Sequence, residues 1–181
     1  MVGEIMKVFV GECSIDTISD RFKEAARRIG EYLGKEKYTY IQGNCIKGMM
    51  GITYNEYKKY HNDVEMYGLD SNEIIEKKTV LVDTFDKRTR MIMDNCDVAI
   101  FLPGADGTIQ EIATFNQFNR EYPSTHILIL VNIDNFYKPL IDQYRYVIDC
   151  KLSNDNSFFD SFIVVNSIEE AINILENRKK A

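Results

Sequence analysis

Val98-Ala99-Ile100-Phe101-Leu102-Pro103-Gly104-Ala105-Asp106-Gly107-Thr108-Ile109-Gln110-Glu111 is the stretch that decides the fold. Its first five residues are apolar at every position. A strand buried on both faces needs that pattern, and such strands belong to parallel sheets covered by helices. A turn built on Pro103, Gly104 and Gly107 follows. The chain then takes up a helical period in which Ile112, Phe115 and Phe118 share an apolar face. Strand, tight turn and helix in this order make half of a βαβ unit.

The same unit recurs on either side. Apolar, β-branched-rich runs occupy residues 7–10, 38–41, 64–67, 79–82, 126–131 and 162–165, and helical segments fit between them. In the first helix Phe22, Ala25, Ala26, Ile29 and Leu33 mark one face. Thr17 and Asp20 offer a capping box at its start, and Gly34 is placed to end it. In the last, Ser167 and Glu170 form the box and Ile168, Ala171, Ile172 and Leu175 the stripe. Residues 154–160 read as a polar loop. The alternation predicts an α/β fold, a doubly wound, mostly parallel sheet flanked by helices, as a single domain over residues 1–181.

Bulk properties narrow the function. A net charge of −6 argues against a broad face for a nucleic-acid polymer, while leaving room for a small anion held by backbone amides and one arginine. Cys13, Cys45, Cys96 and Cys150 form no C-x-x-C pair, and His61 and His126 are too few to complete a Cys/His metal cluster. No apolar run is long enough to span a membrane. The opening residues show no charged n-region followed by a long apolar stretch. The expectation is a cytoplasmic protein with no metal and no membrane partner.

In open parallel sheets ligands bind beyond the carboxyl ends of the strands, so chemistry is sought just after the runs. After 98–102, the glycine turn leaves backbone N–H groups unpaired at a helix N-terminus, an anion site. Thr108 can add a hydroxyl, and Glu111 lies one turn on. Thr108 and Glu111 also satisfy the capping-box pattern, which such a junction uses for stability alone. After 79–82, residues 84–90 read as a charged first helical turn. Its Arg88 leaves from the same sheet edge as the glycine turn if the two strands are neighbours and parallel. After 38–41, Gly43, Gly48 and Gly51 suggest a close approach of backbone to a ligand. Cys45 has no histidine near it in sequence to activate it, and His61 and His126 read as satisfied structural histidines.

Together the three segments resemble the Lonely Guy family, whose members are often misannotated as lysine decarboxylases. Pro103, Gly104, Gly107, Thr108 and Glu111 match its P-G-G-x-G-T-x-x-E motif. Arg88 stands at the arginine of its R-K pair, with Asp97 in place further on. Gly43, Gly48, Met50 and Gly51 match its G-G-G-x-x-G-L-M-G loop, and residues 132–141 resemble its segment after the next strand. The likeness runs over nearly the whole chain, in order.

The resemblance implies a Rossmann-like homodimer with sites near the subunit interface and no metal or organic cofactor. It implies hydrolysis of the N-glycosidic bond of a nucleoside 5′-monophosphate, AMP or a cytokinin ribotide, to free base and ribose 5-phosphate. Arg88 and Glu111 are then catalytic; Gly104, Ala105, Gly107 and Thr108 hold the phosphate; Gly43, Asn44, Gly48 and Met50 form the ribose and base side. Cleaving C1′–N builds positive charge on the ribose, which a carboxylate stabilises. The chain departs from the pattern at Ala105 and Asp106 in the phosphate loop, at Thr89 in place of the lysine, and at Asn44 and Cys45 in place of glycines. Ala105, Asp106 and Thr89 favour a nucleoside N-glycosidase or deoxyribosyltransferase acting without the phosphate; a nucleotide-sensing module that does not cleave is a further alternative. Pyridoxal-dependent decarboxylation has no pocket lysine to support it.

Overall fold

The computed structural model describes residues 5–122, 126–153 and 157–179. Each of the seven apolar runs becomes a strand: β1 (Lys7–Gly11), β2 (Thr39–Gly43), β3 (Val64–Leu69), β4 (Lys78–Val82), β5 (Val98–Phe101), β6 (Ile127–Val131) and β7 (Phe162–Val165). Every neighbouring pair is parallel, and the strands form one sheet in the order β4-β3-β2-β1-β5-β6-β7. The chain winds outward from β1 to β4, then returns to pair β5 against the other side of β1, with Val8 opposite Val98 and Gly11 opposite Phe101. β1 and β5 therefore flank the switch point, where loops part and leave a crevice at the carboxyl edge.

Helices cover both faces. α1 (Asp20–Lys35), α2 (Gly48–Tyr57) and α7 (Ile168–Lys179) pack with Val8, Val10, Tyr40 and Ile100 in one core. α3 (Phe85–Asn95), α4 (Asp106–Glu121), α5 (Lys138–Asp149) and α6 (Ser157–Ser161) contribute to the other, with Phe9, Ile41, Ala99 and Phe101. The two-residue alternation of β1 and β5 thus feeds two cores, which is why their sequences are apolar throughout. The Phe9 and Phe115 rings lie parallel, 6.0 Å apart, and Phe101 meets Phe115 edge-on.

Several local expectations are corrected. The capping box at Thr17 and Asp20 does not form: Ser19 caps α1, its hydroxyl accepting from the Arg21 N–H at 3.3 Å, and Asp20 is already helical. Gly34 does not end the helix, because Lys35 is still helical and Lys37 takes the left-handed turn at φ 59°. Gly34 and Gly30 instead face α2. A Cβ on Gly30 would sit 2.5 Å from the Thr53 carbonyl oxygen, and one on Gly34 2.8 Å from that of Tyr57. At Ser167 half of the box forms: its hydroxyl accepts from the Glu170 N–H, while the Glu170 carboxylate accepts from the Asn166 N–H, one residue before the cap. Within 154–160, residues from Ser157 onward are helical, and 154–156 lie outside the described residues. His126 is buried with its ring nitrogens against Met93 O and Asn119 Oδ1, a structural setting.

Candidate active site

A cavity of about 420 Å³ lies at the carboxyl edge, walled by the turns after β1, β2 and β3 and by the first turns of α3 and α4. Arg88 and Glu111 meet in it, with Arg88 Nη2 donating to Glu111 Oε1 at 3.1 Å. Arg88 sits one turn into α3, its guanidinium over the Phe85 ring at 5.0 Å. Its Nε is buried and without a hydrogen-bond partner among the described residues. Glu111 is 6% exposed and lies against β1: a Cβ on Gly11 would come within 3.3 Å of its Oε2 and 2.8 Å of the Phe101 ring. Gly11 thus makes room for the carboxylate. Burial pushes the Glu111 carboxyl up to about 7, and the neighbouring Arg88 opposes that rise.

The N-terminus of α4 faces the same space. Ala105 is its cap, with φ −95° and no side-chain hydrogen bond, so no left-handed backbone is required where the family motif has glycine. Thr108 is inside the helix, which removes the capping-box role for it; the box residues Thr108 and Glu111 are both buried, and both line the cavity. Gly104 is not part of the lining. It is needed because a Cβ there would fall 2.2 Å from Thr108 Oγ1, so it lets the threonine tuck over the turn. At Gly107 a Cβ would meet nothing within 4 Å. Asp106 is exposed and does not line the cavity.

The loop after β2 divides between two roles. Gly43, Asn44, Cys45 and Met50 line the cavity. Gly48 does not: its φ of +57° and the contact of its N–H with Asp16 Oδ1 at 2.9 Å mark it as the structural start of α2. Thr89 is also away from the cavity, buried between α3 and α4 with its hydroxyl near Phe85 O and Gln110 Oε1. A lysine there is replaced by a strut, and Arg88 is the cavity's only lining cation among the described residues. Asp97 sits at the opposite end of the sheet, accepting from the Lys7 N–H at 2.7 Å. Asn132 holds the next segment, accepting from the Tyr137 N–H, while the buried Tyr137 hydroxyl donates to Leu102 O.

Several lining residues escaped the sequence reading, among them Ser14, Ile15, Leu69, Asn72 and the acid Glu12. Glu12 follows β1 directly and is 6% exposed. Thr53 Oγ1 donates to its Oε2 at 2.8 Å, and the Tyr40 hydroxyl lies 3.3 Å from its Oε1. Burial pushes its carboxyl up to about 8, more than those two hydrogen bonds pull it down. The signal available was its position: an acid immediately after a fully apolar strand, at the edge where the fold binds ligands.

No group of three or more His, Cys, Asp or Glu side chains among the described residues is disposed to hold a metal. No described helix is long and apolar enough to cross a membrane.

Comparison with known proteins places this architecture. Over 97% of the chain it superposes on 98% of the molybdenum cofactor binding protein from Rippkaea orientalis, with a TM-score of 0.69 at 16% identity. The molybdenum cofactor carrier protein from Chlamydomonas reinhardtii matches with a TM-score of 0.69 at 14% identity, covering 97% of this chain and 99% of that one. The protein TM1055 matches at 0.74 and 21%, covering 96% and 99%. Likeness at such identities speaks for the fold, here a Rossmann-like one. No curated protein matches the sequence. The family model described as "Possible lysine decarboxylase" matches residues 40–175, which takes in the early glycine loop, Arg88 and the Gly104 to Glu111 turn. The chain therefore belongs to that family, the one recognised from its motifs as Lonely Guy.

Proposed function

We propose that the protein hydrolyses the N-glycosidic bond of a nucleoside 5′-monophosphate, of the AMP or cytokinin-ribotide type, releasing free base and ribose 5-phosphate. The observation that carries this is the Arg88–Glu111 pair on the cavity wall beside the uncapped N-terminus of α4. Backbone amides of the first turn and the Thr108 hydroxyl take the 5′-phosphate, with the helix dipole adding to the attraction. Gly107 leaves open space for that approach, and the exposed Asp106 carboxylate does not obstruct it. Phosphate bound there anchors the ribose, so that remote binding energy holds C1′ against Glu111. Glu111, raised by burial to about 7 and opposed in that by Arg88, acts in its ionised form: it stabilises the oxocarbenium-like ribose and takes a proton from the attacking water. Gly43, Asn44 and Met50 bound the base side.

We take the enzyme to be a cytoplasmic homodimer. Support for the dimer is an apolar groove between α3 and α4, where Met93, Ala113, Phe118 and Tyr122 line one surface beside the active-site helices. Support for the compartment is four free thiols. A carrier role without turnover is the second reading. It is favoured by the likeness in fold to the molybdenum cofactor binding and carrier proteins.

The deciding experiment measures free base released from AMP and from adenosine by the wild type and by Glu111→Gln. Release from AMP, abolished by the substitution, supports the phosphoribohydrolase. Release from adenosine alone shifts the assignment to a nucleoside glycosidase. Tight binding of AMP with no release from either substrate supports a carrier.

A further inference from the structure

We propose that Asn44 and Asn72 read the base of the nucleotide, Asn44 Oδ1 accepting from the amino group of an adenine and Asn72 Nδ2 donating to the ring nitrogen beside it. The proposal rests on the AMP-type reading above and adds to it two specificity residues and the rejection of 6-oxopurines.

Both asparagines line the cavity from its β2–β3 side. Asn44 follows β2 and Asn72 lies just past the end of β3, two parallel neighbours with Gly43 opposite Tyr67. The Asn44 N–H continues the ladder, donating to Tyr67 O at 3.1 Å. Phe85, in the first turn of α3, also lines the cavity, and its ring is 58% exposed, a surface on which a planar base can rest. The N-terminus of α4 lies on the far side of β1, because α4 follows β5. Three strand spacings separate β5 from β3, about 14 Å. An extended mononucleotide covers such a span from its phosphate to the outer edge of its base. With the phosphate at α4 and the ribose at Arg88 and Glu111, the base edge comes to the asparagines.

The hydrogen bonds that each side chain already makes fix which end of its amide is left over. The Asn44 amide lies against the Glu73 carbonyl oxygen, which can only accept, so the NH2 end is there. Its Oδ1 is buried and has no partner among the described residues. Asn72 is turned the other way. Its Oδ1 accepts from the Leu69 N–H at 2.8 Å, a group that can only donate, and its NH2 makes no hydrogen bond among the described residues. The wall thus offers one acceptor and one donor. The family loop has glycine where Asn44 stands, so this acceptor is a property of the present chain.

Adenine presents the complementary pair, an N6–H that donates and an N1 that accepts. Hypoxanthine reverses both, with an oxygen at position 6 and a proton on N1. Its O6 would face Asn44 Oδ1 and its N1–H would face the Asn72 NH2, leaving two like pairs without partners. Neither asparagine can turn its amide over to suit the oxo base. A turned Asn44 would set its oxygen against Glu73 O, and a turned Asn72 would set its NH2 against the Leu69 N–H. The backbone partners therefore make the two side chains a fixed reader.

The test compares kcat/KM for AMP and IMP in the wild type, Asn44→Ala and Asn72→Asp. We expect the wild type to prefer AMP by about 10- to 100-fold. Asn72→Asp keeps an oxygen for the Leu69 N–H and puts an acceptor where the donor stood, so AMP turnover should fall and IMP turnover rise. Asn44→Ala should erode the preference, chiefly through a higher KM for AMP. Loosening of the chain at Glu73 alone would lower both nucleotides alike and leave their ratio unmoved. Equal kcat/KM for the two nucleotides in the wild type, or a ratio unmoved in both variants, overturns the base assignment and leaves the glycosidase reading in place. If the wild type hydrolyses neither, the glycosidase reading falls, and the ratio of Kd for AMP and IMP from calorimetry decides the base assignment. A preference for AMP then supports it, and equal affinity or no binding overturns it. If Asn44→Ala yields no folded protein, Asn72→Asp, at an exposed residue, decides alone.

Discussion

Replacing Glu12 by glutamine should stabilise the protein at neutral pH and leave it little changed in mild acid. The carboxyl is raised from 4.5 to about 8 in the fold. A raised carboxyl means that the folded state keeps a proton the unfolded chain gives up. Its contribution is fully present below pH 4.5 and is lost progressively until the pH passes about 8. At about 1.4 kcal/mol per pH unit, the wild type has lost about 3 kcal/mol of stability by pH 7 on account of this one group. Glutamine carries no proton to lose, and Glu111, also raised, is present in both proteins and cancels. For a chain of this size, about 3 kcal/mol corresponds to a rise in Tm of roughly 6–12 °C. Urea unfolding at pH 5, 7 and 8 measures it directly. The gain should grow from pH 5 to pH 8. A gain of the same size at every pH, or none at pH 7, would show that Glu12 is not held neutral by the fold and would refute the reasoning.

Gly30→Ala gains helix propensity of about 1 kcal/mol but places a Cβ 2.5 Å from the Thr53 carbonyl, so overpacking of about 1–3 kcal/mol should dominate, seen as a lower urea midpoint. Arg88→Gln removes the cation that holds Glu111 down to about 7, so the acid limb of AMP turnover should move to higher pH, read from a rate profile. Gly107→Ala, with open space around it, should change stability by less than about 0.5 kcal/mol and weaken AMP binding. Gly104→Ala meets Thr108 Oγ1 and should lower Tm. Iodoacetamide at pH 8 should label the exposed Cys150 quickly and leave Cys96 unlabelled until unfolding, because burial drives the Cys96 thiol pKa far up.

The sheet was legible because strands buried on both faces write themselves as unbroken apolar runs; only their ends moved, as when the run from Tyr38 began its ladder at Thr39 and that from Val64 continued to Leu69. That Arg88 and Glu111 would come to one edge was legible because each follows a strand at the edge where a parallel sheet binds ligands. Less legible were residues with two physical uses. Gly34 suits a helix end as well as a close helix contact, and only the position of α2 decides between them. Ser19 outcompetes Thr17 as a cap because it stands directly before the first helical residue. Thr89 reads as a lost lysine, yet its hydroxyl and burial serve the α3–α4 junction. Glu12 was passed over because a glutamate ordinarily lies on the surface. Its burial depends on Tyr40 and Thr53, which arrive from two other elements.

Thr53 joins two of these features. Its carbonyl oxygen rests against the bare backbone of Gly30, and its hydroxyl holds Glu12. Two helices in such close register behave as a single stiff strut, with one end in the core and the other at the cavity wall. A methyl group at the glycine end would press on the carbonyl of the same residue whose hydroxyl holds Glu12. The packing of α1 on α2 thus reaches the cavity wall through Thr53, with every residue of the cavity left unaltered.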